Sequence, residues 1–212
     1  MRKLTLTLIS FLLAFVLIWG CGKKEEGKSD VSDKKDVKIT ETTPVHIKYE
    51  MRGKETGSID MFIKGKQMKM EIKAKENGKD VSVLMYLKDN VGYMITEEGG
   101  KKVGLKMSGE EIEEGMKDFM NLAKAKEMVK DYQKEGTEEI LGYKCNIYKK
   151  GDESVSLHQD LIALKFAKGE EIMIATAFEP DAKISDSELE PPKDIEYLDM
   201  NEMMKNMDKL NQ

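Results

Sequence analysis

The sequence predicts an α+β domain built mainly of antiparallel β-strands, and three observations support this class. Short runs of residues alternate between apolar and polar side chains, which is the period of a half-buried strand. Small turn-forming residues separate these runs at short intervals. A longer stretch in the middle of the chain places apolar residues at helical spacing.

Six alternating runs follow one another between residues 45 and 107. In the first run, Val45, Ile47, Tyr49 and Met51 share one face, and polar residues occupy the other. The apolar positions of the next five runs are Ile59, Met61 and Ile63; Met68, Met70, Ile72 and Ala74; Val81, Val83, Met85 and Leu87; Val91, Tyr93 and Ile95; and Val103, Leu105 and Met107. Each run is interpreted as one strand with a single buried face.

Short turn signals lie between the runs, at Lys64-Gly65, Asn77-Gly78, Asp89-Asn90 and Gly99-Gly100. Asn77-Gly78 best suits a type I′ hairpin turn, because both residues tolerate a positive φ. Turns this short join antiparallel neighbours. The first six strands are therefore expected to form a meander with one apolar face that another element must cover.

A helix over residues 109–132 is the expected cover. Ser108 and Glu111 form a capping box, and an apolar stripe follows them. Further strands are predicted at residues 143–149, 161–167 and 172–178. A last amphipathic helix is predicted from Met200, Met203, Met204, Met207 and Leu210, which share one side.

The N-terminus has the features of an export signal. Arg2 and Lys3 precede an apolar run over residues 4–19, which is shorter than a typical membrane span. The sequence Ile18-Trp19-Gly20-Cys21 resembles the lipobox of bacterial lipoproteins, although a small residue is usual where Trp19 stands. The resemblance implies that residues 1–20 are removed and that Cys21 carries a covalent lipid as the membrane anchor. A plainly cleaved secretory signal is the alternative.

Residues 21–43 are predicted to be the lipidated cysteine and a disordered tether, because they are charged and nearly free of large apolar side chains. Residues 44–212 are predicted to form one β domain. The chain has 40 acidic against 35 basic residues, which argues against nucleic acid as a partner. Lipidation of Cys21 would leave Cys145 without a disulfide partner. Cys145 alternates in step with Tyr143 and Ile147, so its side chain is predicted to be buried.

Three stretches of sequence are similar to a family of uncharacterised bacterial lipoproteins placed near the periplasmic lipoprotein carriers (LolA/LolB-like). They are IKYEMRGKETGSIDMFIKGKQMKMEI, LGYKCNIYKK and SELEPPKDIEYL, and Leu189 in the last stands where the family usually has an aromatic residue. The resemblance implies a curved, incompletely closed β-barrel, or half-barrel, with a helix packed in its concave face. The shared motifs are structural, so no functional residue is carried over.

Methionine is unusually frequent on the face predicted to point inward. A candidate groove for an apolar ligand consists of Tyr49, Met51, Met61, Met68, Met70, Ile72, Val83 and Met85. Flexible, polarisable thioethers suit a surface that must accept variable apolar partners. The alternative interpretation is that the same residues form a solid core packed against the helix.

No catalytic or metal site is predicted. His46 falls on the polar face of its strand, where solvation is the usual outcome, and His158-Gln159-Asp160 in a loop is a weak acid-base signal. The expected function is a non-enzymatic, membrane-anchored lipoprotein of the cell envelope that binds a lipid, an acyl chain or a lipidated client, without a further cofactor. A structural or protein-interaction module without a pocket is the alternative. Gly22 after the cysteine fits delivery to an outer membrane by resemblance to known sorting, whereas the sequence does not determine the oligomeric state.

Overall fold

The computed structural model describes residues 37–54, 56–76, 79–98, 101–108 and 125–202. These residues form twelve strands, one short α-helix, one 3-10 helix and a helical segment at residues 200–202. In chain order they are β1 (Val45–Arg52), β2 (Gly57–Lys64), β3 (Gln67–Glu76), β4 (Lys79–Lys88), β5 (Val91–Glu98), β6 (Lys101–Ser108), α1 (Ala125–Met128), β7 (Gln133–Ile140), β8 (Tyr143–Lys150), β9 (Glu153–His158), β10 (Ile162–Lys168), β11 (Glu171–Pro180), the 3-10 helix (Asp186–Leu189) and β12 (Tyr197–Asp199).

All twelve strands belong to one sheet, in the order β12-β6-β5-β4-β3-β2-β1-β11-β10-β9-β8-β7. Strands β1–β6 form the predicted meander, and β7–β11 form a second meander. The two meet where β1 pairs antiparallel with β11. Within the described ranges β12 and β7 are the two edges, so the sheet is not closed into a barrel. The fold is therefore mainly antiparallel β, as predicted, and β12 adds a parallel pair at the β6 edge.

The main core lies on one face of the β1–β6 meander, which we call the inner face. Alternate residues of β1–β4 reach this core and are almost completely buried; they include Val45, Ile47, Tyr49, Met61 and Met70. Direct cross-strand pairing keeps these residues on one face, because a slip of one residue would turn every side chain over. The alternation predicted for these four strands is confirmed.

The opposite, outer face of the meander is covered by the segment after β11, residues 181–199, which we call the C-terminal strap. Leu189 in the strap is fully buried, and Lys64 on β2 forms a 2.7 Å ion pair with Asp186. Gly104 on β6 makes room for the strap, because a Cβ there would lie 2.7 Å from the ring of Tyr197.

The strap corrects the prediction for β5. Tyr93 pairs with Tyr86, and Ile95 pairs with Leu84, so the Val91, Tyr93 and Ile95 set lies on the outer face and not the inner one. The ring of Tyr93 contacts that of Tyr197 in the strap at 5.2 Å. Ile95 is buried, and Val91 and Tyr93 are half-buried, because the meander is covered on both faces. Alternation within one strand cannot reveal this second cover.

The second meander is apolar on both faces of its central strands. Tyr143, Cys145 and Ile162 belong to the main core. On the opposite face, Val155, Leu157 and Ala163 pack against Ala125 and Val129, at and just after α1.

The helix predicted over 109–132 ends at Met128, because Tyr132 N–H bonds to the carbonyl of Val129 in a tighter turn. The rest of that prediction, residues 109–124, lies outside the described residues. Met200, the first residue named for the predicted last helix, is helical. The other residues named for it, Met203, Met204, Met207 and Leu210, also lie outside the described residues.

The end of the predicted tether lies against the domain. Residues 37–43 precede β1, and Ile39 among them is buried in the main core. Within the described part of the chain, no helix has the length and apolar character needed to cross a membrane.

Candidate functional site

A single row of directly paired residues crosses the inner face from β11 to the β12 edge. We call this row the methionine rung, because four consecutive strands each contribute a methionine. Its members are Phe178, Ile47, Met61, Met70, Met85, Met94, Leu105 and Leu198. Direct cross-strand partners lie within side-chain contact of one another, so the rung is a continuous apolar track.

Burial decreases along the rung. Met61 and Met70 have no exposed surface, Met85 is 4% exposed, and Met94 and Leu105 are half-buried. Leu198 at the end is 45% exposed. The track therefore begins in the core and ends in solvent.

The exposed end is an apolar patch at one edge of the sheet. Leu198 and Val103 are the exposed large hydrophobic residues among the described residues, at 45% and 37%. Both lie on the inner face, since Leu198 pairs with Leu105 and Val103 is two residues from Leu105. With half-buried Met94, Leu105 and Met107 they form what we call the β6 lip. Exposed apolar residues scattered singly need no explanation, but a group on one face marks a candidate contact site.

The structure places the candidate groove residues on the inner face of β1–β4. Tyr49, Ile59, Ile72 and Val83 pair in one row, and Met61, Met70 and Met85 in the next. Seven of the eight candidate groove side chains, Met68 included, are buried in the main core, and Met51 is only partly buried. The groove residues are thus brought together, and in the described structure they are packed.

Two rung residues were missed from the sequence. Met94 was missed because Val91, Tyr93 and Ile95 were predicted to be the inward residues of β5. Leu198 was missed because no strand was predicted at 197–199. A signal for Met94 was present. A two-residue turn at Asp89-Asn90 pairs Lys88 with Val91, and counting back along both strands sets Met85 opposite Met94.

Tyr49 brings a polar group to the inner face. Its ring is buried, and its hydroxyl donates a 2.7 Å hydrogen bond to the carbonyl oxygen of Ala163 on β10. Burial raises the pKa of Tyr49 well above its ordinary value, so the hydroxyl keeps its proton. Tyr49 therefore acts as a neutral donor that ties β1 to the second meander.

Cys145 lies beside a polar cluster on β7–β10. The Glu138 carboxylate accepts hydrogen bonds from Ser156 and from Lys165, the latter at 3.0 Å. Cys145 is fully buried, which confirms the predicted burial, and pairs across the strands with both Glu138 and His158. Burial, with a smaller contribution from the Glu138 charge, raises the pKa of the thiol to about 12. A thiol held in its neutral form is a poor nucleophile.

Both histidines make contacts within the domain. His158 is buried, its Nδ1 donates to the carbonyl of Lys144 at 3.0 Å, and its ring packs edge-to-face on Tyr143. His46 was expected to be solvated, which is wrong. Its ring stacks on Phe62 at 4.2 Å, and its Nε2 lies 2.7 Å from Asp60.

Two shallow depressions of about 380 and 350 Å³ are found in the described part of the chain. The first is polar and includes Lys48, Asp60 and Lys73, whereas Tyr93 and Tyr197 line the second. Neither is lined by a methionine of the rung. In the same residues, no group of three or more His, Cys, Asp or Glu side chains is placed to hold a metal ion.

Comparison with known proteins shows similarity in structure but not in sequence. No protein-family model matches the chain, and no curated protein sequence matches it. An uncharacterised conserved protein from Thermus thermophilus superimposes with a TM-score of 0.50 at 13% identity, over 74% of this chain and 91% of that chain. This similarity shows a shared fold and nothing further.

Two other solved structures are less similar. PNGF-II gives a TM-score of 0.44 at 14% identity, over 78% of this chain and 33% of that chain. A chain of the Pseudomonas aeruginosa MucA/MucB complex gives 0.45 at 10% identity, over 74% of this chain and 59% of that chain.

Proposed function

We propose that this protein is a non-enzymatic lipoprotein of the cell envelope, anchored through Cys21, that binds an acyl chain or a similar apolar ligand on its inner face. The observation that supports ligand binding is the gradient of burial along the methionine rung. The ligand makes its first contact at the β6 lip, where Leu198 and Val103 are exposed. It then follows the rung toward Met85 by displacing the flexible side chain of half-buried Met94.

The size and chemistry of the rung suit a long acyl chain. Between Met61 and Leu198 the rung crosses five strand spacings, or about 24 Å at roughly 4.8 Å each. Burial of an acyl chain contributes about 0.8 kcal/mol for each methylene, which is enough to offset the ordering of several side chains. Thioether side chains adapt to an elongated ligand more readily than branched ones do.

The test is a titration with a fluorescent fatty-acid analogue. Leu105→Ser and Leu198→Ser each remove an apolar contact worth about 1.5 to 3 kcal/mol, so we expect binding about 10- to 100-fold weaker. Lys106→Ser, on the outer face of the same strand, is the control and should bind as the wild type does. A wild-type protein that takes up no analogue would remove ligand binding from the proposal.

The second candidate is a protein-interaction module with a solid core, and the complete burial of Met61 and Met70 favours it. In that case the β6 lip contacts another protein, and nothing enters the rung. Native mass spectrometry of protein purified from membranes separates the two functions. Reproducible co-purifying lipid favours the acyl-binding function, and a ligand-free mass favours the interaction module.

The anchor is tested separately from the domain. Cys21→Ser should abolish labelling by palmitate and release the protein from the membrane fraction, or leave its signal uncut, because the attached lipid is the proposed anchor. Palmitate incorporation that persists in this variant would contradict the lipoprotein assignment. In a bacterium with two membranes, we expect the wild-type protein to fractionate with the outer one.

A further inference from the structure

The segment before β1 is fastened to the turn between β9 and β10 by one side chain. The amide of Gln159 donates to the carbonyl of Val37 at 2.8 Å and accepts from the N–H of Ile39 at 2.9 Å. The two bonds engage the carbonyl and the N–H that lie on either side of Lys38, backbone groups that a neighbouring strand would otherwise pair. A side chain thus takes the place of a strand for residues 37–39.

The turn that presents Gln159 is held in an unfavourable conformation. Gln159 and Asp160 both have a positive φ, of 51° and 55°, which glycine and asparagine adopt more readily than glutamine does. Asp160 stabilises the turn by accepting hydrogen bonds from Asn146 Nδ2 and from Tyr148 Oη, the latter at 2.8 Å. Burial of Asp160 opposes its ionisation, yet these two donors lower its pKa overall, so it remains a charged acceptor.

The fastened segment also has an apolar anchor of its own. Ile39 is only 6% exposed and belongs to the main core. The residues that follow it form a closed turn, in which Thr43 N–H donates to the carbonyl of Thr40 at 3.0 Å. Pro44 then accepts from the N–H of Ala182. The chain is therefore held continuously from Val37 to the start of β1.

We propose that residues 37–39 are a releasable latch that sets how far the domain reaches from its membrane anchor. This inference rests on the proposed attachment through Cys21. With the latch closed, the length of chain between Cys21 and Val37 spans at most about 55 Å. With the latch open, the tether runs to Pro44 and spans at most about 80 Å. Opening requires the loss of the two Gln159 hydrogen bonds, the withdrawal of one isoleucine and the extension of the Thr40–Thr43 turn, while every strand remains paired.

The latch is tested by digesting the full chain, purified from membranes in detergent, with trypsin. Lys38 lies inside the latch, and Lys35 lies before it and provides an internal reference. Gln159→Gly removes both hydrogen bonds and leaves a residue that prefers the turn conformation, so the domain itself should not be destabilised. Cleavage after Lys38 should become about tenfold faster or more, because the closed state loses two hydrogen bonds.

Asn90→Gly is the matched control, because Asn90 also has a positive φ, of 60°, in the two-residue turn between β4 and β5. It should leave cleavage after Lys38 unchanged. Ile39→Ser, which opens the latch from its other side, should reproduce the effect of Gln159→Gly. Equal cleavage after Lys38 in the wild type and both latch variants would overturn the latch.

Reach is measured by energy transfer from a dye on the domain to a dye in the bilayer, with the acylated protein in vesicles. Gln159→Gly should lower the transfer efficiency, and unchanged transfer would overturn control of reach by the latch. Failure of the anchor gives a different result. The protein would not associate with vesicles, whereas protection of Lys38 by Gln159 would still be observed.

Discussion

Tyr49 and Ala163 join the two meanders through one buried hydrogen bond. The Tyr49 hydroxyl donates to the Ala163 carbonyl at 2.7 Å, beside the register shift between Ala163 and Lys165 in β10. Tyr49→Phe would leave this carbonyl buried without the donor. We expect a loss of about 1 to 3 kcal/mol in the free energy of unfolding, measured by denaturant titration.

The control for this substitution is Tyr93→Phe, which keeps the ring against Tyr197 and should change stability by less than about 0.5 kcal/mol. Equal stabilities of Tyr49→Phe and the wild type would show that the Ala163 carbonyl finds another partner.

The gradient of burial along the rung predicts a gradient of mutational cost. Met70→Ala removes a fully buried side chain and should destabilise the domain by about 2 to 5 kcal/mol. Met94→Ala, four rung positions from Ile47, should cost clearly less because Met94 is half-buried. A paired titration with a fatty-acid analogue should show the reverse order for the loss of affinity. Equal destabilisation by the two substitutions would contradict the gradient.

Cys145 should be unreactive in the folded protein. Its sulfur is buried, and burial raises the pKa of the thiol to about 12, so little thiolate exists at pH 8. In a Cys21→Ser background, labelling with a thiol reagent should occur only as fast as the domain unfolds. Denaturant should restore full reactivity. Rapid labelling without denaturant would show that the main core opens at β8.

Acid should weaken the contact between β9 and β10. The Lys168 ammonium at 2.6 Å, together with the Tyr132 hydroxyl, holds the pKa of Glu153 below its ordinary value of 4.5. The Glu153 carboxylate therefore takes up a proton at a lower pH in the folded state than in the unfolded state. The resulting stabilisation is complete above about pH 4.5 and is lost as the pH falls through the lowered pKa.

Glu153→Gln should accordingly flatten the decline of the unfolding free energy between pH 5 and pH 3. Glu170→Gln, at an exposed position in the turn between β10 and β11, is the control. It should leave the decline of the unfolding free energy at low pH unchanged. A decline as steep in Glu153→Gln as in the wild type would assign acid sensitivity to other carboxylates.

The sequence predicts the first meander well because both features that define it are local. Alternation places Met61, Met70 and Met85 on one face, and short turns make their strands antiparallel neighbours. Which residues of β5 face inward is not determined locally, because it depends on residues 181–199 covering the outer face. Pairing registers derived from the turns would have placed Met94 correctly, since they do not depend on which residues are apolar.

The missed strands had no local signal of their own. β7 contains Ile140 as its one large apolar residue, because it is an edge strand whose side chains are mostly exposed. β9 is short, and its buried positions run consecutively from Val155 to His158, since both faces are covered there. β12 forms only because residues 181–199 bring Leu198 beside Leu105. The latch at Gln159 joins residues far apart in sequence, so no local pattern could have predicted it.

The pairing of β1 with β11 has a consequence for the order of folding. Val45 lies opposite Pro180, so this ladder joins the first strand of the sheet to the eleventh. Each meander can form hairpins from neighbouring residues early, but the ladder between them requires closure of a very long loop, which slows folding. A nascent chain cannot join the two meanders until β11 has been synthesised. Such a delay leaves β1 without its β11 partner during synthesis, which would suit the proposed export of an unfolded chain.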